Sequence, residues 1–530
     1  MTRANQREPR KAQGERMSLS HHRDTFVSLL AELARDQPDL PLYTFLDSVA
    51  DVSAVLTCQD LWHRAEEIAG LLQAQRISGE PVMVLSPYGP DAIAMLFGVM
   101  MASCTPVPVT FHRRLGMAGI VDIIAHTGVH VVIGRKTTLA KLKAGRFSSK
   151  PRFHARQHPL LYLAIDGLPG HGRPAPDPTP IAATGVAMIY PGLPGDDAAA
   201  PVALSHAELL ESVDSLIQKL ALVAAGADER LLTALDLSDG MALVLHVLLP
   251  LRARVVSLYY PVEQALRDAT PWLLAASQFA CTIISAPPSV LSLAAHDNGQ
   301  HDKRPPSHHS PDLSTLRFVC VDGGLATPAI FSHFIERYRQ NHMSPEKIFV
   351  CYGLSATAVV VAALQGYRAV SRTGIEALAP GVPNAPTLQA FATGDRLSRQ
   401  GNGFYCRGRS SHRFAVGDCE FQAEDIESVV LQSFGALGLS RCIVLRLEEM
   451  QHTVVLAECA TPQLANDWQG VVSAIMDAVR VDTGCRLDRV ILLRPGSLPL
   501  AVSGLVLRQR CASAVADGSL MLRLLPVRGK

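Results

Sequence analysis

No apolar run in the chain is long enough to span a bilayer. The longest, Ala92 to Ala102 and Met241 to Leu251, are eleven residues each, against the ~20 that a membrane helix needs. Both read as buried core helices. Charge of one dominant sign is also missing: 49 Lys and Arg meet 48 Asp and Glu, for a net charge of +1. That balance gives no support to nucleic acid or an anionic membrane as the main partner. Aromatic residues make up 5% of the chain and are too little interleaved with basic ones for a single-strand nucleic-acid platform. The eleven cysteines, scattered from Cys58 to Cys511, include no C-x-x-C pair. This argues for reduced, buried thiols in a cytoplasmic protein, against a disulfide framework or a zinc site. There is no G-x-S-x-G elbow, no H-E-x-x-H, no G-x-G-x-x-G after a strand and no P-loop signature. The basic residues Arg3, Arg7, Arg10, Lys11 and Arg16 are followed by no apolar run, so a signal peptide lacks its core. Residues 1–20 are expected to be a disordered arm, with Met1 or Met17 as the start.

What is present is a folded α/β pattern. With 530 residues, 48% hydrophobic and 18% charged, two or three domains are expected. Thr57-Cys58-Gln59-Asp60 has the form of a capping box, and Leu61, Ala65, Ile68, Ala69 and Leu72 follow at helical spacing. Short β-branched runs at Val82–Leu85, Val129–Ile133, Leu160–Ile165, Arg254–Leu258, Cys281–Ser285, Arg317–Val321 and Ile348–Cys351 alternate with helical patterns. Such runs imply parallel sheets covered on both faces. Residues 167–180 and 299–311 are dense in proline, glycine and histidine and read as surface loops. His301, His308 and His309 there read as a solvated tract, because the loop offers no rigid ligand spacing. From about Arg413 a smaller α+β pattern follows, with strands at Cys442–Leu447, Thr453–Glu458 and Val490–Leu493 and a helix near Trp468–Val479. The expected division is residues 21–410 and 411–530.

A series of motifs in fixed order gives these elements a family resemblance. They are Leu56-Thr57-Cys58-Gln59-Asp60-Leu61, Pro106-Val107-Pro108-Val109, Leu313-Ser314 before a strand, Tyr352-Gly353-Leu354-Ser355, Thr393-Gly394-Asp395, Gly408-Arg409 and Ala423-Glu424-Asp425-Ile426-Glu427. The chain ends with Arg494-Pro495-Gly496-Ser497-Leu498-Pro499 and Ser503-Gly504-Leu505-Val506-Leu507-Arg508. From Pro41 to Leu520 it resembles the acyl-adenylate-forming (AMP-dependent synthetase/ligase) superfamily, and within it the fatty acyl-AMP ligases. The resemblance implies a large N-terminal domain with two doubly wound sheets and a β subdomain, followed by a small α+β domain. Only 42 residues separate Tyr352 from Asp395, so the β subdomain is expected to be trimmed. It also implies activation of a fatty acid with ATP and Mg²⁺ and transfer to an acyl carrier protein.

Each chemical role in that reaction can be checked by position. The family's phosphate loop carries hydroxyls and a lysine. Here Tyr190 is followed by a loop containing Gly192, Gly195, Asp196 and Asp197, with no Ser or Thr between Thr184 and Ser205 and no Lys between Lys150 and Lys219. Two aspartates would repel a triphosphate at close range. The metal-binding glutamate of the Y-G-L-x-E motif is replaced by Ala356. The Y-H-D-M-G-L motif becomes Ser238-Asp239-Gly240-Met241-Ala242-Leu243, and the hinge K-D becomes Ser411-His412. The lysine that meets carboxylate and phosphate is Leu505. The residues that would border a nucleoside remain: Gly323, Gly324, Tyr352, Gly353, Asp395 and Arg409. They equally serve as turn and sheet residues. The expectation is a ligase-like protein without efficient adenylation, with no ATP or metal cofactor and no catalytic residue at Ala356 or Leu505. It would bind an acyl chain, an acyl carrier protein or a partner enzyme. The alternative is an active fatty acyl-AMP ligase with rearranged ligands, in which ATP and Mg²⁺ bind and Arg508 or Arg510 takes the lysine's role.

Overall fold

The computed structural model describes residues 25–85, 88–110, 116–144, 160–168, 182–191, 201–222, 229–295, 310–322, 328–352, 362–365, 395–400, 403–409, 412–434, 439–447, 451–459, 468–494, 496–499 and 506–520. In chain order the first strands are β1 (Pro41–Leu46), β2 (Val52–Thr57), β3 (Pro81–Leu85), β4 (Thr105–Val109), β5 (Val131–Gly134), β6 (Leu161–Ala164), β7 (Val186–Tyr190) and β8 (Val202–Ser205). There follow β9 (Arg230–Thr233), β10 (Val256–Tyr259), β11 (Ile283–Ser285), β12 (Phe318–Asp322), β13 (Ile348–Tyr352) and β14 (Ala362–Gln365). The remaining strands are β15 (Asp395–Gln400), β16 (Gly403–Arg409), β17 (Arg413–Val416), β18 (Cys419–Gln422), β19 (Leu439–Leu447), β20 (His452–Cys459) and β21 (Arg489–Leu493).

Among the described residues the largest sheet has the order β14-β13-β12-β11-β9-β10-β1-β2 and a second has the order β4-β3-β5-β6. The second is wholly parallel, and the first is parallel except at its edges, β2 and β14. The side-chain alternation of a strand explains why their sequences read as continuous apolar runs. Leu231 and Ile283 point into one core while their neighbours Leu232 and Ile284 point into another. Likewise Val82 and Val84 face the layer between the two sheets, and Met83 and Leu85 face the outer layer of the small sheet. Helices Cys58–Ala74, Pro90–Met101 and His206–Lys219 supply the shared middle layer. Cores built from residues 423–520 are separate from these. There β19, β20 and β21 form a sheet against helices Ala423–Phe434 and Trp468–Thr483.

The middle layer depends on a close helix crossing at Gly98. A Cβ built there lies 2.6 Å from Ile68 Cβ and 2.8 Å from the Ala65 carbonyl oxygen. Gly98→Ala therefore forces the two helices apart and is expected to destabilise the chain by about 1–3 kcal/mol. Urea unfolding measures the loss, and an unchanged midpoint would contradict the tight crossing.

The capping box at Thr57 forms, with Asp60 N–H bonded to Thr57 Oγ1 at 3.1 Å. The helix expected at Met241–Leu251 is a different case. It is broken into Gly240–Ala242, a π-helical turn Leu243–Leu248, and Leu249–Ala253. Pro250 is the cause: it has no N–H, so the carbonyl of His246 loses its helical donor. Tyr259 compensates by donating its hydroxyl to the His246 carbonyl. Tyr43 donates to the adjacent Val247 carbonyl at 2.6 Å. The arm at residues 1–20, most of the two Pro- and Gly-rich loops including His301, His308 and His309, and all but Ala362–Gln365 of the span between Tyr352 and Asp395 lie outside the described residues.

Candidate functional site

Parallel strands carry their loops to one edge, and in open α/β sheets ligands bind outside the carboxyl ends of the strands. Here β9, β11, β12 and β13 end at Thr233, Ser285, Asp322 and Tyr352. The registers Asp322↔Cys351 and Ser285↔Thr233 bring these ends side by side. Gly323 and Gly324 follow directly from Asp322, and Gly353 from Tyr352. The three glycines, with Gly192, Gly195, Asp196, Asp197, Ala356 and Leu505, lie outside the described residues. Tyr352 pairs with Ala362 of β14. Asp395 and Arg409, 14 positions apart in sequence, are register partners across the β15–β16 hairpin.

Two of the altered motifs meet. The loop after Tyr190 joins β7 to β8 in an antiparallel hairpin whose last pair is Tyr190↔Val202. The Tyr190 hydroxyl accepts a hydrogen bond from Gly240 N–H at 3.2 Å, so the base of this loop sits against the Ser238–Leu243 turn. In that turn the carboxylates are consumed locally. Asp239 caps Met241 N–H at 2.8 Å. Asp236 accepts from Ser238 N–H at 2.8 Å, from the Ser238 hydroxyl at 2.7 Å and from the Thr110 hydroxyl beyond β4. The Thr110 bond ties the small sheet to the loop after β9. Between them Ile93, Leu96, Pro108 and Leu237 line a half-open apolar cleft with a volume of about 10 Å³, room for about one water.

Behind the same strand ends lies a polar chain that sequence reasoning did not single out. His246, fully buried, sits 3.0 Å from Ser257 Oγ through Nδ1 and 2.6 Å from Ser285 Oγ through Nε2. The Ser285 hydroxyl donates to Thr233 Oγ1 at 2.9 Å, and Thr233 Oγ1 also accepts from Leu235 N–H. With Ser285 donating onward, Nε2 carries the ring proton and Nδ1 accepts from Ser257, so a neutral imidazole satisfies every partner. Burial drives the His246 pKa down to about 3.

The C-terminal motif rests on a charged knot. Glu427, on the helix Ala423–Phe434, accepts from Arg508 Nη2 at 2.8 Å and from Val444 N–H at 2.7 Å. Arg508 also donates to the Val444 carbonyl at 2.8 Å and stands 3.8 Å from Glu424. Glu424 in turn binds His412 and Gln422. Burial raises the Glu427 pKa to about 7 against the pull of Arg508, and Glu424 adds to the rise. For Glu424 burial also pushes upward, but the His412 hydrogen bond, Arg508 and Gln422 outweigh it and hold the carboxyl near 2. A second buried carboxylate, Glu458, accepts Leu498 N–H at 2.8 Å, and Leu507 N–H reaches the Pro499 carbonyl at 2.9 Å. The chain on both sides of residues 500–505 is thus pinned. A charged residue among apolar helix positions, Glu427 between Ile426 and Val430, was the signal in the sequence.

The fold is that of the adenylate-forming enzymes: one of the fatty acyl-adenylate ligases of E. coli and L. pneumophila superposes with a TM-score of 0.71 at 16% identity, over 94% of this chain and 98% of that one. The chain belongs to the AMP-binding enzyme family, whose sequence model matches residues 30–184 and 200–385. Among curated relatives, 4-hydroxyphenylalkanoate adenylyltransferase of Mycobacterium tuberculosis is 24% identical over 351 residues, 64% of this chain and 54% of that protein. Long-chain-fatty-acid–AMP ligase FadD26 of the same organism is 24% identical over 343 residues, 63% of this chain and 57% of that protein. The chain therefore spans about half the length of the curated relatives it matches.

Proposed function

We propose that the chain is a fatty acyl-AMP ligase-like protein that has lost efficient adenylation and acts by binding an acyl chain, an acyl carrier protein or a partner enzyme. One observation carries this reading: the family match is interrupted at residues 185–199, a stretch that holds none of the serines, threonines and lysine of the family's phosphate loop. Adenylation develops negative charge on phosphate and needs donors, a metal and a cation there. Ala356 and Leu505 remove the metal ligand and the second cation. The acyl class is supported by relatives named for fatty acids and phenylalkanoates.

The alternative is an active ligase with rearranged ligands in which Arg508 or Arg510 supplies the cation; if Arg508 does so, its side chain has to leave Glu427 and the Val444 carbonyl. That departure strands a buried carboxylate. A guanidinium is also a poor geometric substitute for an ammonium. The test is hydroxamate trapping with ATP, Mg²⁺ and a panel of fatty acids, alongside calorimetric titration of the same acids. Acyl binding without hydroxamate above background is expected. Leu505→Lys alone is expected to restore nothing, because the loop and the metal ligand are also absent. Robust acyl-AMP formation by the unaltered chain would overturn the proposal.

A further inference from the structure

The first and last segments of the C-terminal unit meet at one carboxylate. His412 is the first described residue after β16, and Arg508 opens the terminal helix Arg508–Ala516. Between them, Glu424 Oε1 accepts from His412 Nδ1 and stands 3.8 Å from Arg508 Nη2. The other oxygen of Glu424 accepts from Gln422 Nε2 at 2.7 Å. Neither His412 nor Glu424 belongs to the motifs that this region resembles: His412 stands where the hinge K-D has its aspartate, and Glu424 fills the unspecified position of P-x-E-I-E. The link is this chain's own.

Its effect follows from how the charges are arranged. Arg508 Nη2 faces two carboxylates, Glu427 Oε1 at 2.7 Å and Glu424 Oε1 at 3.8 Å. Burial pushes Glu427 toward its neutral form, and the like charge of Glu424 pushes it further. A donor on Glu424 weakens that repulsion, and His412 is such a donor. Nearby charges on the packed elements pair elsewhere: Glu420 with Arg413 on the hairpin, Asp477 with Arg480 on the facing helix, and Glu458 with Arg441 in the sheet. The terminal helix also carries Arg510 and Cys511. The thiols of Cys511 and of Cys442 on β19 are raised by burial and stay uncharged.

We propose that His412 regulates a latch: by binding Glu424 it keeps the Glu427–Arg508 pair closed, and so couples the entry of the C-terminal unit to the docking of its terminal helix. The helix Ala423–Phe434, which carries both carboxylates, also packs on β16. A movement of β16 therefore reaches the same side chains. Coupling of this kind is reciprocal, so whatever shifts one end of the unit alters the other. It is independent of whether the chain adenylates.

Residue-resolved hydrogen exchange of the full chain tests this, read at the amides of Leu507, bonded to the Pro499 carbonyl, and Cys511, bonded to the Leu507 carbonyl. Near neutral pH, His412→Ala should lower their protection about fivefold or more, within the range of coupling between neighbouring charged groups. The loss should begin at higher pH than in the parent, because an untempered Glu424 favours the protonated form of Glu427, in which the latch is open. In a Glu424→Gln background, which removes the repelling charge, His412→Ala should have no further effect. His412→Asn, whose amide nitrogen can take the position of Nδ1, should retain most of the protection. The Leu498 N–H, held separately by Glu458 at 2.8 Å, is the internal control for local opening. Unchanged protection at Leu507 and Cys511 in His412→Ala, an equal loss at Leu498, an undiminished effect in the Glu424→Gln background, or an Asn variant as open as the Ala variant would each overturn the proposal.

Discussion

Replacing Arg508 with methionine should lower the stability of the C-terminal unit by about 3–5 kcal/mol, the range for removing one partner of a buried ion pair. Methionine keeps much of the apolar stem, so the loss isolates the charge. What remains is Glu427, 14% exposed, with the Val444 N–H as its donor and Glu424 nearby as a repelling carboxylate. The expected loss depends on pH. Burial already lifts Glu427 to about 7 with the arginine present, so without it the carboxyl takes up a proton readily in mild acid. The destabilisation should be larger at pH 8 than at pH 5.5. Adding Glu427→Gln to the Arg508→Met variant should recover much of the loss, because an amide still accepts from Val444 N–H and no buried charge remains. Hydrogen exchange of β19, β20 and β21 under increasing urea measures these differences. A loss below 1 kcal/mol in the single variant would show that the pair is not the anchor its geometry indicates.

The same knot marks the limit of what the sequence could disclose. Strands such as Val82–Leu85 and Ile348–Cys351 were legible because both their faces are buried, which makes every residue apolar. The hairpin β7–β8 was not read as strands, since its alternation is short and the interrupted motif between them dominated the reading. Pro250 was visible, but its effect was not: the His246 carbonyl that it deprives takes its donor from Tyr259, 13 positions away, and the adjacent Val247 carbonyl takes one from Tyr43, 204 positions away. Of the candidate site, the change of residue types at positions 356 and 505 was plain in the sequence. The closing of Tyr190 onto Gly240, and the commitment of Arg508 to Glu427, depend on contacts between distant segments that no local pattern encodes.

Acid should unfold the large N-terminal part earlier and more steeply than its carboxylates alone would dictate. Two buried histidines are responsible. His206, at the first turn of the helix His206–Lys219, accepts the Phe26 N–H through Nδ1 at 3.5 Å, and burial lowers its pKa to about 4. A helix N-terminus also disfavours a cation. His246 is held neutral between Ser257 and Ser285 with its pKa near 3. Both folded-state values lie below the unfolded value of about 6.5. Each group's contribution is therefore fully present above pH 6.5 and is lost as pH falls toward the folded value, because only the unfolded chain binds the proton in that window. Near pH 5 two protons are taken up on unfolding, a slope of ~3 kcal/mol per pH unit. By pH 4 the two together should remove about 6 kcal/mol, comparable to the whole stability of many domains. Glu427 acts in the opposite direction. Its raised pKa gives the C-terminal unit stability that is present in mild acid and lost as pH rises toward 7. Segment-resolved hydrogen exchange between pH 4.5 and 7 should show the strands β1, β9, β10 and β11 gaining protection with pH while β19 to β21 lose some. His206→Asn, which keeps an acceptor for Phe26 N–H, should reduce the slope of the large part by one proton and leave the C-terminal unit unchanged. A slope of one proton or less in the parent, or no change in the variant, would show that these imidazoles do not control its acid stability.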